Sequence, residues 1–182
     1  MSANSNILLS FADLPPFSQI TPEQVKPAVE HAIAQARAAL EHAVAAVDVS
    51  WDSLIAQPEQ DGERLAKLWS PVSHMNSVVN TPELREAYES CLPLLSDFST
   101  WLGQHEGLYQ KYLQLAQSAD YARLTPAQQK VIENALRDFK LSGIGLAAEK
   151  KQRYGEIQSR LSDLASQFSN NTLDATQAWF KH

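Results

Sequence analysis

The helix start signals of this chain constrain its fold more than any other sequence feature. Thr21-Pro22-Glu23-Gln24 and Thr125-Pro126-Ala127-Gln128 share one pattern: Thr caps the helix, Pro takes the first position and Gln reaches back from the third. Thr81-Pro82 repeats the first half of this pattern. Each cap is worth about 1 kcal/mol, so the caps determine where helices begin more than whether they form.

Apolar residues continue these starts at helical spacing, which predicts a series of amphipathic helices. The first stripe comprises Val25, Val29, Ile33, Ala36, Leu40, Val44 and Val47. Further patterns predict a short turn over 50–57 anchored by Trp51, and helices over about 61–79, 81–102, 108–115 and 125–139. The inward residues of the second helix include Leu65, Leu68, Trp69, Val72, Met75 and Val79. The last stripe comprises Tyr154, Ile157, Leu161, Leu164 and Phe168.

Prolines interrupt three of these patterns, at Pro27, Pro71 and Pro93. An interior proline costs about 3 kcal/mol in an exposed helix, so each predicts a bend that packing must offset. Beyond the first dozen residues no convincing β alternation accompanies the helical patterns, and no internal repeat is evident. The sequence therefore predicts an all-α fold of antiparallel, partly kinked helices joined by short loops, with residues 1–182 as a single domain.

Composition limits the function and the compartment. The 182 residues suit one domain or a piece of a larger protein, and the net charge of −6 argues against a general nucleic-acid binder. Cys91 is the only cysteine, so no internal disulfide is expected and a reducing compartment is favoured. The opening MSANSNILLSF has no basic region and no long apolar run, which predicts neither a secretion signal nor a membrane anchor. The expected location is the cytoplasm.

Three stretches of the chain carry a family resemblance. The stretch from Arg137 to Trp179 runs through the two-glycine break Ser142-Gly143-Ile144-Gly145 into a long basic amphipathic helix. The other two are LPPFSQITPEQVKPAVEHAI (14–33) and LWSPVSHMNSVVNTPELREAYESCLPLL (68–95). All three resemble the oligopeptidase A and thimet oligopeptidase family of zinc metallopeptidases. The resemblance spans nearly the whole chain but covers only the family's N-terminal helical part.

The resemblance implies one lobe of a larger enzyme. Members of the family are built as two largely helical lobes around a deep channel, with the catalytic zinc on the far lobe. Their zinc is bound by His-Glu-x-x-His and a downstream Glu. The region represented here would form the opposite channel wall and restrict entry to short, unfolded peptides. Its expected partners are those peptides and the missing C-terminal catalytic lobe, and its role would be size selection and lobe closure.

No catalytic, cofactor-binding or metal-binding residue is predicted in these positions. A His-Glu-x-x-His site needs two histidines one helical turn apart, so that both imidazoles face one metal. The five histidines are His31, His42, His74, His105 and His182, and no two lie within ten positions of each other. The chain alone is therefore expected to lack zinc and to be inactive.

The remaining candidate residues are predicted to serve the fold. Glu30-His31 and Glu41-His42 are adjacent pairs, which point about 100° apart on a helix and favour interhelix hydrogen bonds over catalysis. His74 is expected at a helix packing edge. His105-Glu106 is expected near a helix start, where Glu favours the positive end of the helix dipole.

Cys91 and the two-glycine break receive structural interpretations as well. Cys91 lies on an inward helix face with no adjacent cation or histidine, which favours a small core residue over a thiolate nucleophile. Gly143 and Gly145 lack the Gly-Lys-Ser/Thr ending of a phosphate loop. Positive φ at a helix C-terminus is the better interpretation.

Two classes of function remain open from the residues alone. One is the N-terminal region of an oligopeptidase, and the other is a self-contained, non-enzymatic helical module that binds a partner. Composition and periodicity fit both, and the family resemblance favours the first. Trp179 and Phe180 form an apolar cluster near the end of the chain. As part of a larger protein they would be exposed, or buried against a second copy, whereas in a self-contained module they would fold back.

Overall fold

The computed structural model describes residues 6–11 and 13–179, without the side chain of Asp61. All regular elements in that part are helical, which confirms the all-α prediction. Short 3-10 turns lie at Ile7–Leu9, Phe17–Gln19 and Tyr121–Arg123. The main helices are α1 (Pro22–Ala45), α2 (Gln57–Val78), α3 (Pro82–Gly103), α4 (Glu106–Ala116), α5 (Pro126–Leu141) and α6 (Ala148–Gln177).

The predicted caps begin three of these helices. At α5 the Gln128 N–H donates to Thr125 Oγ1 (3.3 Å), and the Thr125 N–H donates to Gln128 Oε1 (2.9 Å). The start of α1 has the corresponding hydrogen bond, in which the Thr21 N–H donates to Gln24 Oε1 at 3.1 Å. At α3 the hydroxyl of Thr81 accepts the Leu84 N–H at 3.3 Å. These caps place the first turns where the sequence predicts them.

Two predicted elements are joined in the structure. The turn expected near Trp51 and the helix expected from about Asp61 form one continuous run, in which a π-helical turn (Asp52–Ala56) leads directly into α2. Ser50 caps this run, because its Oγ accepts the Ser53 N–H at 3.2 Å. The helices α1, α2 and α3 also continue through their interior prolines, Pro27, Pro71 and Pro93.

Two apolar clusters form the core, and Leu40 of α1 packs against both. The first lies between α1, α2 and α3, with the 3-10 turn Ile7–Leu9 placing Leu8 against it. The second joins α4, α5 and the π-helical turn. The largest fully buried side chains all lie in these clusters: Val25, Val29, Leu54, Leu68, Val72, Cys91, Leu115 and Ile132.

Val47 and Val79, which were predicted to extend the apolar stripes of α1 and α2, are exposed instead. Val47 is 89% exposed because α1 ends at Ala45 and the backbone turns to an extended conformation at Ala46. Val79 is exposed because α2 ends at Val78. Periodicity alone therefore carries two stripes past the ends of their helices.

Gly143 ends α5 as the sequence predicts, whereas the positive φ also predicted for Gly145 is wrong. The φ of Gly143, +84°, lies in the left-handed region, where a side chain is disfavoured. The Ile144 N–H donates to the Phe139 carbonyl (3.1 Å), and the Gly143 N–H donates to the Lys140 carbonyl (3.1 Å). Phe139 and Ile144 are both buried in the second cluster. This hydrogen-bond pair and apolar contact form a Schellman motif, which turns the chain from α5 toward α6.

Candidate functional site

The histidines of the described residues do not converge on a common site. His74 lies beside Phe17, with ring centroids 5.8 Å apart, as expected for a packing edge. His42 is exposed near the end of α1, and His182 lies outside the described residues. No group of three or more His, Cys, Asp or Glu side chains within residues 6–11 and 13–179 is arranged to hold a metal ion. The described residues therefore do not fit the catalytic zinc that the family resemblance implies.

His105 has a specific structural role at the start of α4. Its Nδ1 accepts the Leu108 N–H at 3.1 Å, so this ring caps the helix. Its Nε2 lies 3.1 Å from a carboxylate oxygen of Glu41 on α1. A neutral ring with hydrogen on Nε2 satisfies both contacts, because Nδ1 must accept and Nε2 must donate. Both ring nitrogens are thus engaged, and the helix-start interpretation of His105 is confirmed.

Aromatic rings and one guanidinium group pack together beside His105. The Trp101 ring packs edge-on against His105, with centroids 4.9 Å apart. The guanidinium of Arg37 lies 4.2 Å from the Trp101 centroid and 5.6 Å from that of Phe98. Arg37 therefore clamps α1 to α3 through a cation–π contact. Nothing near Arg37 in the sequence indicates this role, because its partners lie on another helix.

Cys91 is a core residue, as predicted. Its side chain is buried in the first cluster, and its Sγ donates to the Ala87 carbonyl at 3.3 Å. Burial raises the pKa of the Cys91 thiol, although a hydrogen bond with Ser90 opposes the shift. The thiol is consequently held in its protonated, weakly nucleophilic form.

A cavity of about 340 Å³ lies between the two core clusters. Most of its walls are apolar, including Leu40, Leu54 and Phe98. Burial raises the pKa of Tyr112 on this wall to about 12, and the charge of Glu59 adds to the shift. The phenol thus stays protonated, and no histidine or cysteine is among the described residues that line the cavity. The cavity is thus mainly apolar, with the carboxylates of Glu59 and Asp138 among its lining groups.

The helix α6 packs mainly on α3, through a polar seam. Arg85 donates two hydrogen bonds to the Asp174 carboxylate, at 2.9 and 2.6 Å. The amide nitrogen of Asn170 donates to Glu89 Oε1 at 2.6 Å, and Asn170 is the only buried residue of α6. Ser166 Oγ is buried without a hydrogen-bond partner in the described structure. Polar and small side chains thus form the seam where a helix usually presents its apolar face.

The apolar stripe of α6 lies largely on the side opposite this seam, with Leu161 at its edge lining the groove beside Leu92 and Leu95 of α3. It is defined here as Ile157, Leu161, Leu164 and Phe168, which are spaced 4, 3 and 4 residues apart. All four side chains are exposed, Leu161 by 55% and Phe168 by 73%. Ser162, on the seam side, follows Ile157 by five positions and so lies about 140° around the helix. The predicted stripe also included Tyr154, which is half-buried beside α3, whereas the structure leaves the other four residues exposed.

Full burial of a Leu, Ile or Phe side chain stabilises a folded protein by about 1.5–3 kcal/mol relative to its exposure to water. Four of them in one row on a helix therefore form an unusual surface for a folded chain. Rows of this kind mark interaction sites, whereas scattered exposed apolar residues need no explanation. Trp179, just beyond the end of α6, is also 70% exposed, and Phe180 lies outside the described residues. None of the described helices is long and apolar enough to cross a membrane.

The sequence of this helical chain matches the model of a known domain family. The family model of the neurolysin/thimet oligopeptidase N-terminal domain matches residues 29–151. This match covers more than half of the chain, which therefore belongs to that family.

Curated relatives extend the match to almost the whole chain. Oligopeptidase A of Haemophilus influenzae is 57% identical over 97% of this chain and 26% of its own length. Oligopeptidase A of Escherichia coli is 54% identical over the same shares. A protein of Arabidopsis thaliana named probable cytosolic oligopeptidase A is 34% identical over 98% of this chain and 25% of its own length. The chain thus spans about a quarter of the length of these relatives.

Proposed function

We propose that this chain is the N-terminal, channel-wall region of a zinc metallo-oligopeptidase that hydrolyses short peptides, and that it is not catalytic by itself. The observation that carries the proposal is the high identity to proteins named oligopeptidase A over 97% of this chain but only 26% of the relative. In this proposal residues 1–182 form a single N-terminal helical domain, and the rest of the parent enzyme supplies the catalytic lobe.

The zinc ligands and the general base would then lie outside this chain. The described residues offer no cluster of metal-binding side chains, and His105, at the junction of α1 and α4, has both ring nitrogens engaged. The chain would contribute a rigid helical wall that admits short, unfolded peptides and excludes folded proteins. We also infer a cytoplasmic location, which the name of the Arabidopsis relative supports.

The unpartnered stripe of α6 also fits a second function, a self-contained helical module that binds another protein. The two functions differ in what the gene encodes after His182. A reading frame that continues for several hundred residues and contains His-Glu-x-x-His supports the peptidase. A stop codon directly after His182 in the natural gene supports the module and overturns the peptidase.

Activity of the extended protein tests the mechanism directly. The polypeptide encoded by the continued frame is expected to cleave a short fluorogenic peptide and to lose that activity with 1,10-phenanthroline. Added zinc should restore it, and a folded protein substrate should remain intact. Residues 1–182 alone, assayed in parallel, should cleave neither substrate. An extended protein that is folded and zinc-loaded but cleaves no short peptide would contradict the proposed function.

A further inference from the structure

We propose that the apolar stripe of α6 is the surface on which the polypeptide after His182 packs in the parent protein, as an amphipathic helix laid along α6. This inference rests on the proposed function, because it requires a parent chain that continues. It goes further by assigning a particular face of a particular helix as the contact between this region and the rest of the enzyme.

The two sides of α6 differ in their contacts. The seam side is held to α3 by the paired groups Arg85–Asp174 and Glu89–Asn170. The opposite side carries the stripe, whose 4-3-4 spacing is that of a helix packed along another helix. A helix with paired polar groups on one side and four large exposed apolar side chains on the other is the middle layer of a larger helical assembly.

Most of α6 lies beyond the end of the family match. The N-terminal domain model covers residues 29–151 and so ends in the first turn of α6, which spans Ala148–Gln177. The match to the Haemophilus influenzae relative covers 97% of the chain and so includes the stripe. The stripe therefore lies beyond the N-terminal domain as the family defines it, but within the sequence shared with full-length oligopeptidases.

The size of the stripe favours an intramolecular occupant over a second copy of this chain. A stable interface between separate proteins buries about 800 Å² on each partner, more than one row of four side chains offers. Separate chains also lose translational and rotational freedom on binding, whereas a covalently continuous segment does not. A small apolar row is thus sufficient for a segment of the same polypeptide.

Cysteine footprinting tests the inference on the extended protein. Phe168→Cys and Leu161→Cys place a thiol on the stripe, and Gln167→Cys places one on the neighbouring exposed position, about 100° around the helix. The native Cys91 is buried and gives little background in the folded state. Maleimide labelling is followed by peptide-resolved mass spectrometry, so cysteines elsewhere in the parent do not interfere.

In a monomeric sample of the extended protein, both stripe cysteines should react at least about tenfold more slowly than Gln167→Cys. In the isolated 182-residue chain all three should react at similar rates. Equal rates in the extended protein would overturn the proposal and leave the stripe for an outside partner. Protection in the isolated chain would also overturn it: concentration-dependent protection would indicate a second copy, and concentration-independent protection would indicate self-coverage.

Peptide hydrolysis by the same extended samples separates this proposal from the proposed function. An active peptidase with a fully reactive stripe would refute the contact surface alone. A folded protein that protects the stripe but cleaves no peptide would refute the peptidase function and retain the packing of α6. Absence of any polypeptide after His182 in the natural gene would refute both.

Discussion

Arg85 and Asp174 form a two-bond ion pair that joins α3 to α6 across 89 positions of sequence, with N–O distances of 2.9 and 2.6 Å. Arg85 also donates to Asn80 Oδ1 at the start of α3, so its guanidinium is held in place from two directions. Asn80 itself has a φ of +47°, in the left-handed region that asparagine tolerates. The pair anchors the C-terminal half of a helix whose apolar residues Ile157, Leu164 and Phe168 are exposed.

Acid should weaken this anchor selectively. The hydrogen bonds from Arg85 lower the pKa of Asp174. A carboxylate with a lower pKa in the folded than in the unfolded state contributes stability above the unfolded pKa and loses it as pH falls through the folded pKa. The loss should therefore occur below about pH 4, the unfolded value for Asp. Asp174→Asn should reduce the acid sensitivity of α6 in hydrogen exchange measured between neutral and low pH.

Asp120→Asn is the matched control for that measurement. Asp120 pairs with Arg123, three residues away in the turn between α4 and α5, and so joins no distant helices. Its substitution should leave the exchange of α6 unchanged at every pH. If the hydrogen exchange of α6 depends on pH in the same way in Asp174→Asn and in the native protein, the ion pair does not link the stability of α6 to pH. Because Asp174 is half exposed, we expect a local rather than a global effect.

Gly143→Val should destabilise the fold, by about 1–3 kcal/mol for the left-handed backbone alone. A Cβ at this position would also lie 2.7 Å from Leu146 Cδ1. Gly145→Ala is the control two residues away, because a Cβ there meets nothing within 4 Å. Urea denaturation of the two variants should separate them clearly. An unchanged midpoint for Gly143→Val would remove the assigned role of the Schellman motif.

His105→Ala should cost about 1–2 kcal/mol, since it removes the cap of α4 and an aromatic contact together. His105→Asn retains an acceptor for the Leu108 N–H and should recover part of the loss. His42→Ala changes an exposed residue near the end of α1 and should have little effect. Denaturation midpoints measure all three variants. A loss in His105→Asn as large as that in His105→Ala would show that the cap contributes nothing.

Local signals made most of the fold predictable from the sequence. The caps at Thr81 and Thr125, the core position of Cys91 and the left-handed Gly143 all depend on residues within a few positions of each other. Val47 and Val79 were predicted wrongly because an apolar spacing does not contain the signal that ends a helix. The continuous helical run from Trp51 into α2 was predicted as two separate elements. A π-helical turn shifts the spacing of the apolar residues on which that prediction rests.

The contacts that hold the outer helix were not predictable in this way. Asp174 and Asn170 find their partners 89 and 81 residues away, and nothing in either local segment indicates the pairing. The stripe of Leu161 and Phe168 was visible, but its direction depends on which face of α6 meets α3. Two faces compete for that contact, and periodicity alone favours the wrong one.

The isolated chain should bind no stoichiometric zinc and should not hydrolyse short peptides. The histidines of the described residues lie apart from one another, and those residues form no metal-binding cluster. Metal analysis after dialysis against a zinc buffer provides the measurement, with the extended protein as the positive control. About one tightly held zinc per isolated chain, lost in His74→Ala, would contradict this expectation.

Trp179 should be the most readily quenched tryptophan of the isolated chain. It is 70% exposed just beyond the end of α6, whereas Trp69 stacks on Tyr88 with centroids 4.8 Å apart and Trp101 is covered by Arg37. Trp179→Phe should remove the long-wavelength emission that acrylamide quenches, without lowering the melting temperature. Trp69→Phe, the control, should remove protected emission and reduce stability. If Trp179 is instead shielded in a strictly monomeric sample of residues 1–182, the chain covers its own apolar terminus, and the self-contained helical module becomes the better interpretation.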